Sequence, residues 1–133
     1  MPVLHTTEGR TLFAYYTNWQ DDVVQVAEFV DCLNVSFGFP NDEALAGHPL
    51  HEVGLHPYNV HVVEGSAWIE ELQRIEHVGF PNADIVRGHK HFVFVFHDTT
   101  MEAIARDLIP IELCATMADA FALMTELTLV QGY

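Results

Sequence analysis

The chain is poor in positive charge. Five lysines and arginines stand against nineteen aspartates and glutamates in 133 residues, a formal charge of −14 with histidine neutral. Nucleic-acid binding draws on a basic stripe that displaces counterions from phosphates. Arg10, Arg74, Arg87, Lys90 and Arg106 are scattered and make no stripe, so no nucleic-acid partner is expected. Anionic membrane surfaces are disfavoured on the same ground. Cysteine is scarce too. Cys32 and Cys114 are the only two and form no CxxC pair, so they read as free buried thiols. Either could be a nucleophile, but no sequence neighbour marks one.

A long uninterrupted apolar run is also missing. The most apolar stretch, 111–130, carries Glu112, Asp119 and Glu126, which argues against a membrane span. Met1-Pro2-Val3-Leu4-His5 lacks a basic segment followed by an apolar run, so no secretory signal is expected. These absences together predict a cytoplasmic protein. The patterns GxSxG, HExxH, the phosphate-binding loop, the EF-hand loop and the zinc ribbon do not occur.

What remains is a chain of ordinary single-domain size, read as one domain over 1–133. Half of its residues are apolar, and a chain this long buries roughly two-thirds of its unfolded surface. Thr11–Thr17, Leu33–Phe39 and Tyr58–Glu64 read as strands, rich in β-branched and aromatic residues, while Val23–Val30 is open: Asp22 with Gln25 suits a capping box and a helix, but its valines and short length favour a strand. His89–His97 is the clearest strand, with Phe92, Phe94 and Phe96 on one face and His89, His91, Val93, Val95 and His97 on the other.

Ser66 is a helix N-cap by type, ahead of Trp68, Ile69, Leu72 and Ile75 at helical spacing. Thr99-Thr100-Met101-Glu102 fits a capping box and predicts a short helix to about Leu108. Pro110 suits a first helical position, which predicts a last helix running to Val130. The fold class predicted is α+β: one mainly antiparallel sheet of four to six strands with two to three helices packed on it, the C-terminal helix strongly apolar. Glu112, Asp119 and Glu126 keep to one narrow stripe of that helix, so its remaining arc predicts a homo-oligomer. Phe121→Glu or Met124→Glu is then expected to dissociate it.

Gly38-Phe39-Pro40-Asn41 recurs as Gly79-Phe80-Pro81-Asn82, each followed by Gly-His at 47–48 and 88–89. A duplication would make two superposable units. The plainer reading is chance, since strand precedes the first copy and helix the second.

Histidine is abundant, with nine residues. His89 and His91, two apart on a strand, are spaced about 6.5 Å, close enough for both imidazoles to reach one divalent transition metal. The remaining donors would come from the 40–57 loop: His48, His51, Asp42 and Glu43. The HxH spacing resembles that of cupins, but the Glu that follows in cupins is absent, since Val95 and Phe96 stand there. The plainer role for the pair is polar residues at a strand end. His97 and Asp98 form a second candidate, a catalytic base and carboxylate beside a helix N-terminus. Their plainer role is capping and exposure.

The run Phe37-Gly38-Phe39-Pro40-Asn41-Asp42-Glu43-Ala44, then Gly47-His48-Pro49-Leu50, then Phe96-His97-Asp98 through Glu102, resembles a group of small bacterial proteins with no activity attached. The resemblance covers residues 35 to 108 and implies a bacterial cytosolic protein. Three functional readings stand. One is a cytosolic domain binding a small molecule or protein partner as a homodimer through its C-terminal helix. The second is a metal-dependent enzyme with a histidine–carboxylate site. The third, a structural subunit of a larger assembly, rests only on the apolar C-terminal helix.

Overall fold

Alternation of side chains along the strands decides the architecture. In β2 (Thr11–Tyr16) Leu12 and Ala14 face one way and Phe13 and Tyr15 the other, and Leu12, Phe13 and Ala14 are fully buried. A strand apolar on both faces must be covered on both. The computed structural model, which describes residues 2–17, 22–40, 48 and 60–130, meets that demand with two antiparallel four-stranded sheets. The first has the order β1-β2-β3-β8, with β1 (Val3–Thr6), β3 (Val24–Val30) and β8 (Asp107–Cys114). The second has the order β4-β7-β6-β5, from β4 (Asn34–Gly38), β7 (Thr100–Ala105), β6 (Lys90–Val95) and β5 (Val60–Val63).

Phe13, Ala27 and Phe29 of the first sheet meet Phe92, Phe94, Met101 and Ala103 of the second in the main core. The Phe13 and Phe29 rings stack at 4.7 Å, and Phe94 meets Phe13 edge-on at 5.2 Å. The chain passes between sheets at one corner. There Asp31 takes a left-handed turn (φ 49) and Arg106 separates β7 from β8. The Arg106 N–H donates to the Val30 carbonyl at 2.8 Å, and the Leu33 N–H donates to the Ile104 carbonyl at 2.8 Å. Helix α1 (Ala67–Gly79) lies on the outer face of the second sheet, and α2 (Met117–Val130) packs Ala120 and Met124 against Leu12, Ala14, Val24 and Val26 of the first. No helix among the described residues is long and apolar enough to cross a membrane.

The α+β class and the antiparallel pairing agree with expectation, but one sheet becomes two. The difference lies largely in 100–114. The helix expected from Thr99 to Leu108 is β7, an interior strand with Met101, Ala103, Ile104 and Ala105 all at 0% exposure. Packing on both faces overrides the helix preference of Met, Glu and Ala. Pro110 is not a first helical residue. It sits in edge strand β8, beside a register shift opposite Val26 and Ala27, where a missing N–H is tolerated. The last helix therefore begins later, at Met117, with the Asp119 N–H donating to the Thr116 hydroxyl.

Within α2 the two residues expected to act alike do not. Met124 is buried, whereas Phe121 is 46% exposed. Over its described residues the repeated Gly-Phe-Pro-Asn begins differently, because Gly38 of the first copy ends strand β4 and Gly79 of the second ends helix α1; Asn41 lies outside the described residues.

One polar clamp fixes α2 to the first sheet. Arg10 donates through Nε and Nη2 to both carboxylate oxygens of Glu28, at 2.9 and 2.7 Å. Its Nη1 donates to the Leu127 carbonyl at 3.2 Å. Both ionic side chains are only 13% exposed, so this bidentate pair contributes more than a surface ion pair. Arg10→Ala is expected to cost about 1–2 kcal/mol by denaturant unfolding. Arg10→Lys should not restore it, lacking the planar fork.

Candidate functional site

The site begins with a hairpin register. β6 and β7 pair so that His91 lies opposite Ile104 and Val93 opposite Glu102. His91 and Glu102 are therefore diagonal neighbours on one face, within reach of long side chains. That face points away from the main core, because Phe92 and Ala103 point into it. Ser36 of β4 lies directly beside Glu102 in the same cross-strand row.

Helix α1 brings the next member. β5 ends at Val63, Gly65 adopts φ 63, and Ser66 caps the helix that starts at Ala67. The left-handed turn at Gly65 reverses the chain within two residues, which suits a residue without Cβ. Ser66 Oγ accepts the Ile69 N–H at 3.1 Å and lies 2.7 Å from His91 Nδ1. On the other side of the ring, His91 Nε2 lies 2.8 Å from Glu102 Oε1. His48 completes the cluster, its Nε2 at 3.0 Å from Glu102 Oε2. The Trp68 ring meets the His91 ring edge-on at 5.4 Å.

Proton placement follows from the acceptors. An ionised Glu102 can only accept, so both Nε2 atoms carry hydrogen. A neutral His91 then has an unprotonated Nδ1, and Ser66 donates its hydroxyl hydrogen to it. The chain reads hydroxyl to imidazole to carboxylate, with a second imidazole on the far oxygen. The His48 and His91 side chains are 6% and 5% exposed, and that of Glu102 is 20% exposed. Burial pushes the Glu102 carboxyl upward, but hydrogen bonds from His91 and His48 and the attraction of both rings outweigh it. The net effect holds the carboxyl below its usual range.

The expected metal pair separates. His89 precedes β6, and its Nε2 donates to the Asp31 carbonyl at 3.0 Å, whereas His91 faces Ser66 and Glu102. His48 does approach His91, with Glu102 between them. Each imidazole meets its own oxygen of that carboxylate, and no group of three His, Cys, Asp or Glu side chains among the described residues could hold a metal ion. Asp42, Glu43 and His51 lie outside the described residues.

His97 and Asp98, the expected catalytic pair, occupy the β6–β7 turn, where the Phe96 N–H donates to the Thr99 carbonyl. Their side chains are 67% and 83% exposed and approach at 3.7 Å. A strand follows them, so the expected helix N-terminus is not there. Burial pushes the Cys32 and Cys114 thiols up, away from the thiolate form.

Glu102 carries little site signal in the sequence. It mimics the last residue of a capping box, and only the hairpin register brings it to His91. Ser66 is legible as a cap, but not as a partner of His91. A shallow groove of about 370 Å³ lies along the C-terminal half of α1, between Leu33, Leu72, Ile75, Phe80 and Ile85. Its one acid, Glu76, already accepts the Ile85 N–H, so the groove offers little chemistry. Comparison with protein-family models, curated proteins and solved structures finds no match to this chain.

Proposed function

We propose that this domain is a cytosolic homodimer that binds a small polar molecule on the outer face of the second sheet and exchanges a proton with it. One observation carries the reading: a single carboxylate, Glu102, clamped between two buried imidazoles. Burying three titratable groups is a poor way to stabilise a sheet, since apolar residues of similar size serve better. Such clusters are concentrated where chemistry needs tuned groups. Glu102 is the most exposed of the three, so the ligand meets the carboxylate edge of the network, beside Ser36. His48 and His91 then act as proton reservoirs for general acid–base work.

The dimer reading rests on α2. Ala118, Phe121, Ala122, Thr125 and Leu129 are all exposed and recur at helical spacing, opposite the buried Ala120 and Met124. A twofold contact is the commonest way to cover such a stripe.

The test is a nuclear magnetic resonance screen of small carboxylic acids, amides and amines. Compounds that bind should shift the ring resonances of His48 and His91. Glu102→Gln should weaken them about tenfold or more, since loss of a charge-assisted contact is worth roughly 1.5 kcal/mol or more. Hits that leave both rings unmoved, or that bind Glu102→Gln equally well, overturn the reading. Elemental analysis of the same sample separates the two chemistries: a stoichiometric divalent ion would replace proton exchange with the metal-dependent alternative.

A further inference from the structure

We propose that Ser66 is a nucleophile that accepts small acyl groups from activated esters, with His91 as its base and Glu102 as the group that orients the base. This rests on the acid–base network above, and it places an acyl donor on the Ser66 side of the His91 ring, away from the Glu102 edge.

The first argument is geometric. A hydroxyl is activated when a base lies within about 2.6–3.2 Å and a third group fixes that base. Here the two links are 2.7 and 2.8 Å, on opposite nitrogens of one ring. Glu102 is held in turn by His48 at 3.0 Å, which fixes its second oxygen. The edge of Trp68 limits rotation of the His91 ring. Serine is thus joined to an imidazole whose tautomer is already set for proton abstraction.

The second argument is the local fold. Strand β5, the sharp turn at Gly65, Ser66 and helix α1 follow one another within a few residues. That junction presents the hydroxyl at the end of a strand and at the positive end of a helix. The Ala67 and Trp68 N–H groups belong to the first turn, which has no partner within its own helix. They are the donors that we assign to the oxygen of a carbonyl under attack. The Ile69 N–H, already on Ser66 Oγ, favours the oxyanion form of the serine. A serine that only caps needs no imidazole on its other side.

Ser66 is 5% exposed and His91 is 4% exposed, so a small acyl group such as acetyl is the one to test.

The step balances without any redox partner. Ser66 Oγ bonds to the acyl carbon as its proton passes to His91 Nδ1, and the carbonyl electron pair moves onto oxygen. Collapse of that intermediate breaks the bond to the leaving oxygen, which takes the proton back from Nδ1. Water then attacks the acyl-serine, gives its proton to Nδ1, and Ser66 regains it as the acid departs. Glu102 stays ionised throughout and stabilises the imidazolium.

The experiment uses the full chain and p-nitrophenyl acetate. The expected result is a burst of p-nitrophenolate approaching one equivalent per chain, with acetyl mapped by peptide mass spectrometry to the peptide carrying Ser66. Ser66→Ala should abolish the burst, and Glu102→Gln should slow it about tenfold or more. Acetyl found only on lysines, cysteines or the N-terminus overturns the proposal, as does an unchanged burst in a folded Ser66→Ala. Mapping of the wild-type chain decides the matter even where the variant fails to fold. An unacylated Ser66 together with intact ligand shifts at His48 and His91 removes the nucleophile and leaves the acid–base site. Loss of both removes the network reading itself.

Discussion

Met124→Glu is expected to unfold the chain, whereas Phe121→Glu, three residues earlier on the same helix, is expected to leave the fold intact and to dissociate the proposed dimer. Met124 is 1% exposed and packs among Leu12, Ala14, Val24, Val26 and Ala120. A glutamate there loses the methionine's packing, worth about 2–5 kcal/mol. It also places a carboxylate in an apolar layer, which adds several kcal/mol or forces it to bind a proton. Domains of this kind have about 5–15 kcal/mol in all. The combined loss, about 5 kcal/mol or more, is enough to unfold a domain near the lower end of that range. Urea unfolding and circular dichroism measure it.

Phe121 is 46% exposed, so its glutamate variant should stay within about 0.5 kcal/mol of the parent's monomer stability. Sedimentation velocity should show the dimer replaced by monomer. A wild-type chain that sediments as a clean monomer at tens of micromolar would end the dimer reading and leave the Met124 prediction standing.

The contrast between these two positions shows where sequence reasoning runs out. The apolar arc of 111–130 is plain in the sequence, but which part of it meets the monomer's own sheet depends on where the helix begins. That start was hidden by Pro110, whose missing N–H suits an edge strand as well as a first helical turn. β7 was hidden in the same way. Thr99-x-x-Glu102 carries the local chemistry of a helix start, and only the apolar layers on both sides of β7 make it a strand. Strands rich in β-branched or aromatic residues with a clean break, such as β2, β4 and β6, were legible, as was α1 from its helical apolar spacing and its Ser66 cap.

The candidate site was half legible for related reasons. His91 stands out within a strand, and His48 within a histidine-rich loop. The pairing of His89 with His91 assumed that alternation holds to the strand's first residue. It does not, because Gly88 turns the chain at φ 77 and β6 starts only at Lys90. The His89 N–H accordingly donates to the Val86 carbonyl in a turn, and its ring goes to Asp31 instead of joining His91. Glu102 required the hairpin register, which no local pattern in 89–108 specifies.

Removing the Glu102 carboxylate should be a strongly damaging polar change, because it serves two largely buried imidazoles at once. Glu102→Ala removes the acceptor of two largely buried imidazole N–H groups, and each buried donor left unsatisfied costs about 1–3 kcal/mol. Glu102→Gln is the sharper probe because it keeps the shape and cannot ionise. Its carbonyl oxygen can serve one imidazole, while its amide N–H meets the other donor, so about 1–3 kcal/mol is lost at neutral pH.

The pH dependence has a definite sign. The folded state holds the Glu102 carboxyl below its usual range, so folding favours its ionised form. The stability tied to that ionisation is fully present above the ordinary glutamate value of about 4.3. It is lost as pH falls through the lower value of the folded state, where the wild type becomes as neutral at this position as the variant. The difference in unfolding free energy between wild type and Glu102→Gln should therefore close on the acid side of about pH 4. Denaturant midpoints from pH 7 down to pH 3 measure it. A difference that stays open between about pH 4 and pH 3 would mean that the carboxylate is not what separates the two proteins.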